Sequence, residues 1–129
     1  MRRQSAFRRF CKAGVQPHQD DEPQLVKGAP IFSYTFLKNA DGCVGTDPMP
    51  REFRIYNAEP LGNGKRKRGD KVGSVWLGQG DLLIMCGEMQ TYFFHEVPKT
   101  NNQKYGNTQR VNMTVRAFTP EAVAAAEQP

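Results

Sequence analysis

Two histidines and three cysteines are the only imidazole and thiol groups in this 129-residue chain, and that scarcity narrows its metal chemistry. Cys11, Cys43 and Cys86 are odd in number and far apart. Without a C-x-x-C spacing, neither a zinc knuckle nor a dithiol redox motif can form; structural thiols in a reducing, intracellular compartment are the simplest reading. No apolar run approaches the roughly 20 residues of a membrane-spanning helix, so no membrane association is expected. There is no internal repeat and no long amphipathic helix. The length suits one domain with a single core.

What is present is a composition of 38% hydrophobic and 24% charged residues, that of a soluble globular domain. The formal net charge is +5 and the pI is about 9.3, which favours a polyanionic partner such as nucleic acid. Residues 1–16 carry Arg2, Arg3, Arg8, Arg9 and Lys12 and no acid. Three readings fit this segment: a transit peptide, a basic arm or strand touching phosphates, or a chain that starts late.

Short extended segments separated by turn residues dominate the rest. A Gly-Ala-Pro break precedes a strand at Ile31–Phe36, residues 37–50 read as a loop, and Glu52–Asn57 alternates as a half-buried strand. Asn63-Gly64 is a strong turn signal, and Lys65-Arg66-Lys67-Arg68 follows it as a loop tip or a phosphate contact. Val72–Leu77 reads as a strand with Trp76 buried, and Gly80–Gly87 as a strand covered on both faces. A strand at Gln90–Val97, a polar loop over 100–109 and a strand over 110–118 come next, with one or two helical turns from Pro120. This pattern predicts an all-β sandwich or barrel.

The chemistry concentrates at Pro17-His18-Gln19-Asp20-Asp21-Glu22-Pro23. In an extended segment, His18 and Asp20 share one face, aiming an imidazole and a carboxylate at one point. Two histidines and a carboxylate make the facial triad of non-haem Fe(II), and His95 is the one remaining imidazole. Arg110-Val111-Asn112-Met113-Thr114-Val115-Arg116 alternates strictly. Its polar face is either a wet outer surface or the lining of a pocket. In a pocket, Arg110 and Arg116 lean toward opposite ends of a short dicarboxylate, with Asn112 and Thr114 between them as neutral donors.

His18-Gln19-Asp20-Asp21-Glu22-Pro23 with Gly28-Ala29-Pro30-Ile31 resembles the metal-ligand segment of AlkB-type Fe(II)/2-oxoglutarate dioxygenases. Gly80-Asp81-Leu82-Leu83-Ile84-Met85, leading through Gln90 and Tyr92 to His95 and Val97-Pro98, is similar to the same family, as is the R-x-N-x-T-x-R strand of residues 110–116. The resemblance implies a mainly β, double-stranded β-helix (jelly roll). It implies Fe(II) on His18, Asp20 and His95, and 2-oxoglutarate on Arg110 and Arg116 with Asn112 and Thr114 nearby. It also implies Asp21 or Glu22 facing the substrate base, and Lys65, Arg66, Lys67 and Arg68 near nucleic acid. Iron, 2-oxoglutarate and O2 would hydroxylate an N-methyl group of an alkylated base, chiefly 1-methyladenine or 3-methylcytosine in DNA or RNA, and the hemiaminal would release formaldehyde.

Departures from the pattern are also plain. The relatives' upstream N-x-Y strand has no match in Phe7-Arg8-Arg9-Phe10-Cys11-Lys12, and their N-terminal nucleotide-gripping portion has no room here. A barrel short of strands, with an open edge and a wet iron site, is therefore expected. The expected organisation is a basic segment (1–16), a dioxygenase core (17–119) and a short tail (120–129). The protein is expected to be a monomer in the nucleus, cytoplasm or mitochondrion. A same-family oxygenase acting on protein or lipid, and a truncated, non-catalytic nucleic-acid binder, are the competing functions.

Overall fold

A computed structural model describes residues 5–11, 14–39, 48–99 and 108–127. Eight strands and two short helices follow in order: β1 (Ser5–Cys11), β2 (Val15–His18), β3 (Ile31–Asn39), β4 (Arg51–Leu61), β5 (Lys65–Leu77), β6 (Leu82–Met85), α1 (Met89–Tyr92), β7 (Phe93–Val97), β8 (Thr108–Val115) and α2 (Pro120–Ala126). They form two four-stranded antiparallel sheets of order β1-β8-β3-β6 and β2-β7-β4-β5. Successive strands alternate between the sheets except across the β4–β5 hairpin, which is jelly-roll winding.

This corrects the expectation of a barrel short of strands. The region before His18 supplies β1, which pairs along β8 with Arg8 opposite Asn112 and Phe10 opposite Arg110. Residues 1–16 thus contribute β1 and the start of β2 to the two sheets.

Several elements differ from the expected ones. The basic run is not a loop tip: the turn closes over residues 62–64 and Lys65 already faces Leu61 as the first residue of β5. Gly64 supplies the positive φ of 78° that this short connection requires, and the Asn63 side chain accepts from Lys65 N at 3.1 Å. Trp76 is 55% exposed because β5 is an edge strand and Trp76 pairs with Glu52 on the outer face. The apolar run after Gly80 is likewise an edge strand, β6, with Leu82 and Ile84 exposed, so it is not covered on both faces. Gln90 to Tyr92 is helical, and the strand begins only at Phe93. Leu37–Asn39 extends β3, and Thr108 and Gln109 belong to β8; 48–50 lie outside the strands as expected, and 40–47 and 100–107 lie outside the described residues, as do Arg2, Arg3, Lys12 and Cys43. The C-terminal helix forms as expected, with Thr119 as its cap accepting from Ala122 N at 3.3 Å.

Between the sheets, Ile31, Phe53, Leu77, Met85 and Val97 make a small apolar core. Much of the remaining interior is polar: Asp20, Ser33, Thr35, Arg51, His95 and Arg110 are all buried. On β3, Ile31, Ser33, Thr35 and Leu37 point inward, while Phe32, Tyr34 and Phe36 point outward beside Ile84, Leu82, Val111, Met113 and Val115 of the flanking strands. The outward rows of β3, β6 and β8 are therefore largely apolar.

Gly14 stands where β2 begins against the end of β7. A Cβ there would fall on Lys99 N and lie 2.6 Å from Val97 O, both backbone atoms that cannot swing aside. Gly14→Ala is expected to lower stability by about 2 kcal/mol in urea unfolding, because the two backbones must separate. A loss below a few tenths of a kcal/mol would mean that the strands do not approach this closely.

Candidate metal centre and co-substrate pocket

β2 delivers His18 opposite His95 of β7, which puts the two imidazoles 4.3 Å apart between ring centroids. Asp20 follows just beyond the end of β2, so strand pairing does not hold it. Side chains do so instead: Gln90 Oε1 accepts from Asp20 N at 2.8 Å, and Gln19 donates to Thr91 O at 3.2 Å. The helical turn α1 thereby sets the His18-x-Asp20 segment against the strand that carries His95. Beyond Asp20, Val26 N bonds Ala117 O and Thr119 N bonds Gln24 O, tying the following loop to the end of β8.

Asp20 sits between the histidines, with Oδ1 at 3.9 Å from His18 Nε2 and Oδ2 at 3.5 Å from His95 Nε2. A ligand atom from each of the three residues lies within 4.8 Å of the others, the geometry of one ion site. His18 Nδ1 contacts Gln16 O at 2.8 Å, which fixes the proton on Nδ1 and leaves Nε2 as a lone-pair donor. Burial, reinforced by His95, pushes the pKa of His18 below its usual value, so the imidazole is neutral as ligation requires. Burial opposes the charge on Asp20, but the His95 hydrogen bond and the Arg116 guanidinium outweigh it, and its pKa lies below the usual carboxylate value. His95 is buried, stacks on Phe53 at 5.3 Å, and its Nδ1 has no partner.

A cavity of about 340 Å³ opens from this cluster along the inside of β8, lined by Ser33, Arg110, Asn112, Thr114 and Arg116. The polar face of the last strand therefore lines an interior, not a wet surface. Along it, Arg110 donates to Asn112 Oδ1 at 2.9 Å, Asn112 donates to Thr114 Oγ1 at 2.8 Å, and Ser33 donates to Asn112 at 3.0 Å. Arg110 is buried deep in the barrel; burial, with the charge of Arg51, brings its pKa down to about 10, still protonated at neutral pH. Arg116 lies at the metal end, where its guanidinium donates to Asp20 Oδ1 at 2.7 Å and approaches Glu22 at 3.8 Å.

A second cavity of about 400 Å³ lies across Asp20 from the first, lined by Asp21, Glu22, Lys27, Arg66, Cys86 and Gln90 among others. The basic run is divided by strand alternation and pairing. Arg66 turns into this cavity, its guanidinium 5.4 Å from the Tyr92 ring centroid and bonded to Thr91 O. Lys67 pairs with Glu59 at 3.2 Å, Arg68 lies over the Tyr56 ring, and Lys65 is exposed at the turn. Gln90 falls in the family-like segment before His95 but carries no role there, and Phe53 had no signal as a site residue, since an apolar residue on a strand is what any chain contains.

Residues 10–116 match the family described as 2OG-Fe(II) oxygenase superfamily. The chain is 32% identical over 115 residues to alpha-ketoglutarate-dependent dioxygenase alkB homolog 3 of Rattus norvegicus, covering 89% of this chain and 34% of that protein. It is 29% identical over 106 residues to DNA oxidative demethylase ALKBH2 of Mus musculus, covering 82% of this chain and 38% of that protein. The chain belongs to the 2OG-Fe(II) oxygenase superfamily. It spans about a third of the length of the curated relatives it matches. Membership implies Fe(II), 2-oxoglutarate and O2, and a donor set of two imidazoles and one carboxylate suits Fe(II).

Proposed function

We propose that this protein oxidatively demethylates alkylated bases, 1-methyladenine and 3-methylcytosine among them, in DNA or RNA. His18, Asp20 and His95 hold Fe(II), and the Arg110–Arg116 strand holds 2-oxoglutarate. Bound iron, 2-oxoglutarate and O2 supply the oxidising power; the chain's own residues supply position. Arg110 neutralises a co-substrate carboxylate deep in the barrel, while Asn112 and Thr114 offer donors along its length. The small core behind His95, with Phe53 stacked on its ring, keeps that side of the site dry.

The observation that carries the base reading is the second cavity. It shares Asp20, Glu22 and Met85 with the metal pocket and is lined by both Asp21 and Glu22 and by Arg66. Carboxylates suit an alkylated base that carries positive charge, and a cation from the β4–β5 hairpin suits the phosphate beside it. The names of the relatives, one a DNA oxidative demethylase, support the same substrate class.

The test is formaldehyde release from single-stranded oligonucleotides carrying 1-methyladenine or 3-methylcytosine. Methylated strands should yield formaldehyde only with Fe(II) and 2-oxoglutarate present. Glu22→Ala is expected to cut this rate by about tenfold or more, the worth of one charge-assisted contact to the base. Iron and co-substrate binding without any release from methylated strands would remove the nucleic-acid reading and favour a protein or lipid substrate.

A further inference from the structure

Three residues line both cavities: Asp20, Glu22 and Met85. They form the threshold between the metal pocket and the cavity that Arg66 enters. Two are carboxylates on the Arg116 guanidinium, Asp20 at 2.7 Å and Glu22 at 3.8 Å. Met85, the last residue of β6, is the only apolar one. Strand alternation turns Leu82 and Ile84 out and Leu83 and Met85 in, and Met85 is 4% exposed.

Two sets of contacts fix this side chain. Met85 stands opposite Ile31 in the β3–β6 register and belongs to the apolar core with Ile31, Phe53, Leu77 and Val97. Its sulfur also accepts from Gln90 Nε2 at 3.6 Å, while Gln90 Oε1 accepts from Asp20 N at 2.8 Å. One amide thereby ties the thioether to the segment that carries the metal-binding carboxylate. A free methionine adapts to whatever fills the space beside it; one held by a core and an amide presents a defined wall. An alkylated base seated in the second cavity must pass its N-alkyl group across this threshold to reach the metal. The two carboxylates attract the positive charge of the ring, which is the same for every alkyl length. Volume at the threshold is what distinguishes a methyl from a longer group, and Met85 supplies its apolar volume.

We propose that Met85 sets the size of the N-alkyl group that reaches the metal, admitting methyl and disfavouring ethyl and longer chains. The proposal rests on the demethylase reading and adds to it the residue that limits the substrate. The chemistry is the same for either group. One oxygen atom of O2 enters the carbon bonded to nitrogen, and the other enters succinate as 2-oxoglutarate loses CO2. The N–C bond of the hydroxylated group then breaks, its electron pair staying on the ring nitrogen and the hydroxyl proton leaving to solvent. A methyl group departs as formaldehyde and an ethyl group as acetaldehyde.

The test compares single-stranded oligonucleotides carrying 1-methyladenine or 1-ethyladenine, with the ratio of the two taken within each variant so that a general loss of iron or co-substrate cancels. Rates are read as formaldehyde and acetaldehyde release. Affinities are read by fluorescence anisotropy on the Mn(II)-loaded protein, without turnover. Met85→Ala should raise the ethyl-to-methyl ratio of rates by about tenfold or more, the low end of what one methylene is worth in an apolar pocket, and shift the ratio of affinities the same way. Met85→Leu, which nearly conserves volume, should hold both ratios within about threefold of the parent. Unchanged ratios in folded Met85→Ala protein, or ratios that Met85→Leu moves just as far, overturn the proposal; if Met85→Ala does not fold, Met85→Val is read by the same outcomes. Formaldehyde release by the parent with those unchanged ratios defeats the role of Met85 alone. No release by the parent from the methyl strand defeats the demethylase reading, and the proposal with it.

Discussion

Asp20→Ala protein, given Fe(II) and 2-oxoglutarate without oxygen, will show no charge-transfer absorbance, while the parent protein develops the band. Two imidazoles held on β2 and β7 remain in the variant, but the anionic ligand between them is gone, and with it the charge that matches a divalent ion. Asp20→Asn separates charge from shape, since it keeps the volume and one oxygen. Its band should also be lost or severely weakened. The folding signal should survive in both variants, with stability lowered by about 2 kcal/mol as Arg116 loses its 2.7 Å partner. A normal band in folded Asp20→Ala protein would mean that the iron, if bound, uses another carboxylate, and the proposed centre would be wrong.

Arg116→Leu probes the same carboxylate from its other side and is expected to weaken metal binding by roughly ten- to a hundred-fold, the usual effect of removing a partner that orients a ligand. Manganese(II) binding followed by electron paramagnetic resonance measures this without any turnover. The reason is geometric. Asp20 lies past the end of β2, and its orientation depends on Gln90 at its backbone and Arg116 at its side chain. A leucine keeps the volume but leaves Oδ1 free to rotate away from the metal and removes the nearby cation from Glu22. Unchanged Mn(II) affinity combined with lost 2-oxoglutarate binding would give Arg116 a purely co-substrate role, the one assigned to it from the strand pattern alone.

The parts of this site that can be read directly from the chain are those set by strand alternation. His18 and Asp20 two residues apart, and the polar row Arg110, Asn112, Thr114 and Arg116, follow from the two-residue period of extended backbone. The structure brings these residues and His95 around one cavity. Less legible was which side of each strand faces in. Trp76 looked like core by size but lies outside because β5 has a neighbour on one edge only. The run from Leu82 to Met85 looked doubly covered because apolar residues on an outward sheet face and in a core are identical in sequence. Arg66 could not be told from its three basic neighbours, since only its position relative to Tyr92 and Thr91 turns it inward. Gln90 stands in the family-like segment, but its hold on Asp20 N is made across 70 residues of sequence and could not be read from the chain.

In the β1-β8-β3-β6 sheet, the outward row of β8 and its neighbours on β3 are apolar, while the inward row of β8 is polar. In such a sheet the outward row governs the inward row. Val111, Met113 and Val115 lie level with Phe36, Tyr34 and Phe32 of β3. A slip of β8 by a single residue would turn this row into the pocket and expel both arginines and the amide between them. The hydrophobic contacts that prevent that slip are made entirely on the far side of the strand from the ligand. Arg110 and Arg116 are thus aimed by residues that never face the cavity, and the precision of the pocket is stored in the packing of its outer wall.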